Sequence, residues 1–253
     1  MKKLFLFLTF LLVRDCLASS SLRLQIERGF FRETFSTSWT RAVESLLDGG
    51  AFTWSGRGSF EWRGLFIEGF LVRGKGRVTD YDWWISTLWF ISEADFSLEG
   101  GGVRLGYRRG FLGFFLERED LLWRIGPKAQ NLLVDFKIPS LEEIHFEVNS
   151  LFLKSHLLVG VEARWKVFKG EVGILSQTNS GWWNLREMYF WWPSCGFFLA
   201  LSLSKRVSLF SFALKVSFKE TFGSFQEEVA PYITRCKTSS LRISGLLTLT
   251  FEK

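Results

Sequence analysis

The strongest constraint on this chain is a side-chain period of two that persists over long stretches. Between residues 52 and 63 the even positions read Phe52, Trp54, Gly56, Gly58, Phe60 and Trp62. The odd positions read Thr53, Ser55, Arg57, Ser59, Glu61 and Arg63. Toward the end, Leu241, Ile243, Gly245, Leu247, Leu249 and Phe251 alternate with Arg242, Ser244, Leu246, Thr248, Thr250 and Glu252. Leu22, Leu24 and Ile26 alternate with Arg23, Gln25 and Glu27. Successive side chains of a strand point to opposite faces, so this pattern builds sheets with one apolar and one polar face.

Composition decides which medium the apolar face meets. Of 253 residues, 47% are hydrophobic and 17% aromatic, with 28 Phe and 12 Trp. Three Trp-Trp pairs stand at Trp83-Trp84, Trp182-Trp183 and Trp191-Trp192. Disorder is excluded. A soluble domain of this size would struggle to bury twelve indoles with each N–H satisfied. Met1-Lys2-Lys3, the apolar run Leu4 to Val13 and the small residues around Ala18 have the layout of a signal peptide over residues 1–18. One domain, residues 19–253, is expected after it. No other run reaches the roughly 18 apolar residues of a membrane helix, so the spanning structure left is a closed barrel.

The formal net charge is +6, with both signs interspersed and no Lys/Arg tract beyond pairs such as Arg108-Arg109, which argues against nucleic acid as a partner. Cys195 and Cys236 remain after removal of the leader, and an exported chain with two cysteines is expected to join them.

Two hairpins can be tested for register. With Lys205-Arg206 as a turn, Leu203, Leu201, Leu199 and Phe197 face Ser208, Phe210, Phe212 and Leu214. The opposite face then carries the small residues Ala200, Ser202, Ser211 and Ala213. With Lys154-Ser155 as a turn, Ile144 faces Trp165, and Glu147 faces Glu162, a repulsion that Arg164 or Lys166 would relieve diagonally. Both hairpins give strands of about ten residues, a membrane span. Gly74-Lys75-Gly76, Gly100-Gly101-Gly102 and Pro193-Ser194-Cys195-Gly196 also read as connections, and Thr40–Asp48 as a short helical segment in a loop.

With its leader, its alternation, its Trp clusters and a last strand carrying Phe251, the chain resembles the bacterial outer-membrane β-barrel class. The resemblance implies an all-β fold: a closed antiparallel up-and-down transmembrane β-barrel. At roughly 18 residues per strand it would have about twelve strands, with ten or fourteen as alternatives. It implies interfacial aromatic girdles, for which Trp54, Trp62, Trp83, Trp84, Trp182, Trp183, Trp191, Trp192 and Phe251 are the candidates. It also implies outer-membrane lipid and the barrel-insertion machinery as partners. The longest non-alternating stretch, Lys219–Ser240, would be the outer loop, which leaves both termini periplasmic.

Parity places Arg57, Arg63, Arg104, Arg108, Arg164, Lys166, Lys215 and Arg242 inside, partly balanced by Glu61, Glu147, Glu162 and Glu252. An open lumen so lined would be a narrow pore preferring small anionic solutes. The alternative is a closed structural or surface-interaction barrel, and a third reading is a lipid-modifying enzyme. His145 and His156 fall inside but most of a strand apart, so they cannot share a metal. No Cys/His cluster or phosphate-binding Gly loop is present, so no metal, cofactor or catalytic set is expected.

Overall fold

The computed structural model describes residues 20–38, 43–84, 87–131, 150–183, 188–226 and 233–252. They form ten strands: β1 (Ser20–Ser38), β2 (Val43–Trp62), β3 (Leu65–Trp84), β4 (Thr87–Arg109) and β5 (Leu112–Asn131), then β6 (Ser150–Trp165), β7 (Phe168–Trp183), β8 (Met188–Val207), β9 (Phe210–Gln226) and β10 (Ile233–Glu252). Each pairs with the next, and β1 closes the sheet antiparallel to β10. The fold is therefore a closed up-and-down β-barrel of ten strands rather than twelve.

The overcount has a physical origin in strand length. The strands run to between 16 and 23 residues, about twice a membrane span. Several expected connections lie inside them: Gly74–Gly76 in β3, Gly100–Gly102 in β4, Lys154-Ser155 in β6, and Pro193–Gly196 with Lys205-Arg206 in β8. Residues 43–48, expected to be helical, open β2. Most of Lys219–Ser240 belongs to β9 and β10. His145, Glu147 and the leader lie outside the described residues.

The true turns at one end each span two residues: Arg63-Gly64, Gly110-Phe111, Lys166-Val167 and Ser208-Leu209. The first residue of each has a left-handed backbone, with φ of 49°, 64°, 52° and 57° in that order. This matches the twist of tight hairpins. The second residue's carbonyl then accepts an N–H from a neighbouring strand: Gly64 from Arg108, Phe111 from Arg164, Val167 from Ser204 and Leu209 from Thr250. Each short turn is thereby pinned to the adjacent hairpin.

The β8–β9 pairing differs from the expected one, with Leu203 opposite Leu214 and Leu201 opposite Val216. The displacement is an even number of residues, so every side chain keeps its face. In β6 the outward faces of Leu157, Val161 and Trp165 agree with expectation, but Phe152 turns inward and is buried.

The two faces exchange character halfway up the barrel. From the short turns to mid-strand the outer wall is apolar: Leu22 to Ile26 on β1, Leu65 to Leu71 on β3, Phe197 to Leu203 on β8 and Phe210 to Phe218 on β9. Eleven residues of a strand tilted near 45° rise about 25 Å, the height of the apolar band of a membrane barrel. Above that level the outer wall of β3–β5 carries Arg73, Lys75, Arg77, Glu99, Arg118 and Arg124. The interior above it is an apolar core that includes Val72, Val78, Phe96, Leu98, Trp123 and Ile125.

Candidate functional site

The membrane-level interior is assembled in repeating units of glycine, phenylalanine and arginine. Inward glycines leave gaps, and the directly paired residue on the next strand fills each one. Phe66 pairs with Gly106 and Phe70 with Gly102, while Phe115 pairs with Gly160. A Cβ on any of these glycines would run into the partner's ring. A guanidinium also stacks on each ring: Arg108 at 3.6 Å from the Phe66 centroid, Arg104 at 4.1 Å from Phe115 and Arg57 at 4.7 Å from Phe70. Aromatic cover of sheet glycines and cation–π stacking together fix where the charges stand.

The charges so placed form one network. Arg104, 2% exposed, donates from Nε to Glu117 at 2.6 Å and from Nη1 to Glu171 at 2.7 Å. Arg108 donates to Glu61 at 2.8 Å, to Glu68 at 3.1 Å and to Glu162. Arg57 reaches Glu68 at 2.8 Å. Glu162 and Glu171 lie directly opposite each other on β6 and β7. Their repulsion is answered by Lys169, whose Nζ is 2.9 Å from Glu162 and 2.5 Å from Glu171. Arg164 stands 3.2 Å from Glu162, its neighbour two residues away on the same strand rather than a diagonal partner, and Glu171 replaces Glu147 as the opposing acid. Arg242 pairs with Glu27 at 3.1 Å, which also accepts from Ser55 Oγ at 3.1 Å.

Higher up, the charges pair off individually. Glu33 pairs with Lys154, and Lys154 caps the Trp123 ring at 3.5 Å. Glu119 accepts from Lys219 Nζ at 2.6 Å and lies 3.0 Å from His156 Nδ1, while His156 Nε2 is buried without a hydrogen-bond partner. A cavity of about 70 Å³ lies beside these groups, between the ion network and the apolar core. Above it the core packs into the interior, with Trp123 4.7 Å from Phe96 and 5.9 Å from Phe31, and Trp192 5.4 Å from Phe35. At the short-turn end the lumen instead opens into a vestibule of about 360 Å³.

Of the eight cations expected inside, Arg57, Arg104, Arg108, Arg164, Lys215 and Arg242 point into the lumen, and the network brings them together. Arg63 and Lys166 do not: both are first residues of tight turns, where alternation ends, and both are exposed. Cys195 points outward and is exposed, Cys236 points inward and is buried, and β9 runs between their strands, so both are free thiols. Among the candidate interfacial aromatics, Trp54 and Phe251 lie on the outer wall at 53% and 46% exposure, and Trp62 is half-buried next to a short turn. Trp54 stands in register between Arg28 and Arg73 at the top of the apolar band, with Arg28 stacked 4.7 Å from its ring. Trp192 is instead an interior residue, 5% exposed, because it belongs to the upper half where the apolar face turns inward. The side chains of Trp83, Trp84, Trp182, Trp183 and Trp191 lie outside the described set. Sequence reading missed Glu68, Glu117, Glu171 and Lys169. Their parity was readable, but the Gly–Phe pairing that positions their partners needed the register.

No protein-family model and no curated protein matches the chain. Solved structures do. The outer membrane protease OmpT from Escherichia coli superposes with a TM-score of 0.54 at 9% identity, over 91% of this chain and 97% of that one. A deletion mutant of the monoaromatic hydrocarbon channel TodX gives 0.37 at 8% identity, over 93% and 91%. A FadL homologue from Pseudomonas aeruginosa gives 0.33 at 6%, over 92% and 90%. At such identities the likeness concerns the fold, and that fold is the bacterial outer-membrane β-barrel.

Proposed function

We propose that the chain is an occluded outer-membrane barrel whose upper half is displayed as a packed interaction platform, with the short turns and both termini on the periplasmic side. The observation that carries this reading is the interior packing. An ion network with Arg104 at 2% exposure lies beneath an apolar core containing Trp123 at 7%, and only about 70 Å³ of cavity separates them. Passage of even a small solute would require breaking buried ion pairs and displacing packed aromatics. The lining cations favour anions, as the pore reading requires, but their guanidinium groups are spent on glutamates and rings. Outer-membrane lipid around the apolar band, and the barrel-insertion machinery during assembly, are the partners this architecture calls for. No catalytic step is part of the proposal: His156 directs Nδ1 to Glu119, and its other nitrogen faces the interior.

Planar-bilayer recording on the refolded protein tests the reading. A barrel that migrates faster unheated than boiled in SDS, yet gives no discrete conductance steps, is the expected result. Regular steps with anion selectivity would overturn occlusion and restore the pore.

A further inference from the structure

The vestibule at the short-turn end is chemically unlike the rest of the lumen. Arg23, Arg57, Arg164, Lys169 and Lys215 line it, with Lys166 and Arg206 at its exposed rim, whereas the carboxylates among its described lining residues are Glu68 and Glu171. Neighbouring Glu61 and Glu162 do not restore balance, because each carboxylate here serves several cations. Glu162 takes Arg108, Arg164 and Lys169, and Glu171 takes Arg104, Lys169 and Lys215, the last at 3.6 Å. Over the whole membrane-level network, including Arg104, Arg108 and Arg242 with Glu27 and Glu117, eight cations meet six carboxylates among the described residues, a surplus of two positive charges. In a lumen walled by lipid such a surplus is costly unless an anion answers it.

The space for that anion comes from side-chain size. The wall formed by β8 and β9 presents Ala200, Ser202, Ser211 and Ala213 opposite the long basic residues, which leaves about 360 Å³ open to the short-turn side. Thr250 adds a hydroxyl. Forked guanidinium groups, ammonium groups and hydroxyls around one pocket are the donor set that phosphate oxygens take.

We infer that the vestibule is a blind binding site for a multiply charged, phosphate-bearing anion that enters from the short-turn side. The packed network above it makes this a site of retention rather than of conduction.

The test is calorimetric titration of the full refolded chain, in a zwitterionic detergent, with inorganic pyrophosphate. One equivalent should bind, more weakly as salt rises. Ala213→Glu puts a carboxylate on the same face as Lys215 and should weaken binding by at least about tenfold through charge neutralisation. Arg73→Gln, on the upper outer wall, should leave binding unchanged. Where Ala213→Glu does not fold, as read by heat-modifiable migration, Arg23→Gln in the vestibule wall replaces it and should weaken binding about threefold by removing one screened charge. Absence of pyrophosphate binding, or equal binding by the folded vestibule variants, would overturn the proposal. Repeating the titration in phosphatidylcholine and in phosphatidylglycerol discs separates the sources of the phosphate. Loss of pyrophosphate binding only in phosphatidylglycerol assigns the site to a lipid headgroup, and retention in both assigns it to a soluble phosphate compound.

Discussion

The lower and upper halves of this barrel are built on opposite rules, although the same strands run through both. Below mid-height, Leu201 and Leu203 point outward while Arg104 and Glu171 point inward. Above it, Arg73 and Lys75 point outward while Trp123 and Phe96 point inward. In lipid the outer wall must be apolar, so the polar residues of an alternating strand have only the interior to occupy, and there they must pair. In water the ordinary preference returns, and the interior of the same cylinder becomes a hydrophobic core. The exchange of faces marks where the membrane ends, without any change in secondary structure.

The largest expected effect breaks the lower rule. Arg104→Met removes the cation between Glu117 and Glu171 and leaves buried Glu117 without the ion pair it makes here, at a cost of about 3–5 kcal/mol in urea unfolding. A double variant that also carries Glu117→Gln should recover part of the loss, and the absence of any recovery would show the two groups to be uncoupled. Breaking the upper rule costs nearly as much but for a different reason. Trp123→Ala empties space between Phe96, Phe31 and Lys154, with a loss of about 3 kcal/mol or more. That loss should leave insertion of the lower half intact, as read by heat-modifiable migration. A subtler comparison uses one substitution on two outer walls. Leu201→Arg, within the apolar band, should cost about 2–4 kcal/mol. Ser176→Arg, just above the band, should stay within about 0.5 kcal/mol. Equal costs would mean that the band has been placed wrongly. The smallest effect is chemical. A membrane-impermeant maleimide should label Cys195 in the folded protein without prior reduction and Cys236 only after denaturation, and labelling of neither without a reductant would indicate the disulfide that the geometry excludes.

The face of most residues was legible before the structure, because parity is a local property of a strand. Arg57, Arg108 and Lys215 were assigned inward from alternation alone, and the small wall of Ala200, Ser202, Ser211 and Ala213 was visible as a face. Parity also survived the displaced register at β8 and β9, since an even slip preserves it. What failed was everything that depended on where the membrane ends. Trp192 was assigned to an interfacial girdle and lies in the core, and Lys154-Ser155 was assigned to a turn and lies within β6. Halfway along β3, β4 and β5 the apolar residues change faces, which reads in sequence as a break in the strand. The strand number came out too high because about 18 residues were allotted to each strand with its connections, whereas the strands alone run to between 16 and 23. The cysteines failed for a related reason, since count and compartment suggest a bond while opposite faces forbid it.

The sequence by itself determined that this chain forms alternating strands too aromatic for a soluble sheet, and hence a closed barrel, because period and solvation are properties of each segment alone. The tertiary structure decided the ten strands, the packed interior and the basic vestibule. Those depend on which glycine meets which phenylalanine across a strand pair, and on how many cations share each glutamate. Such pairings exist only after closure brings distant strands into register.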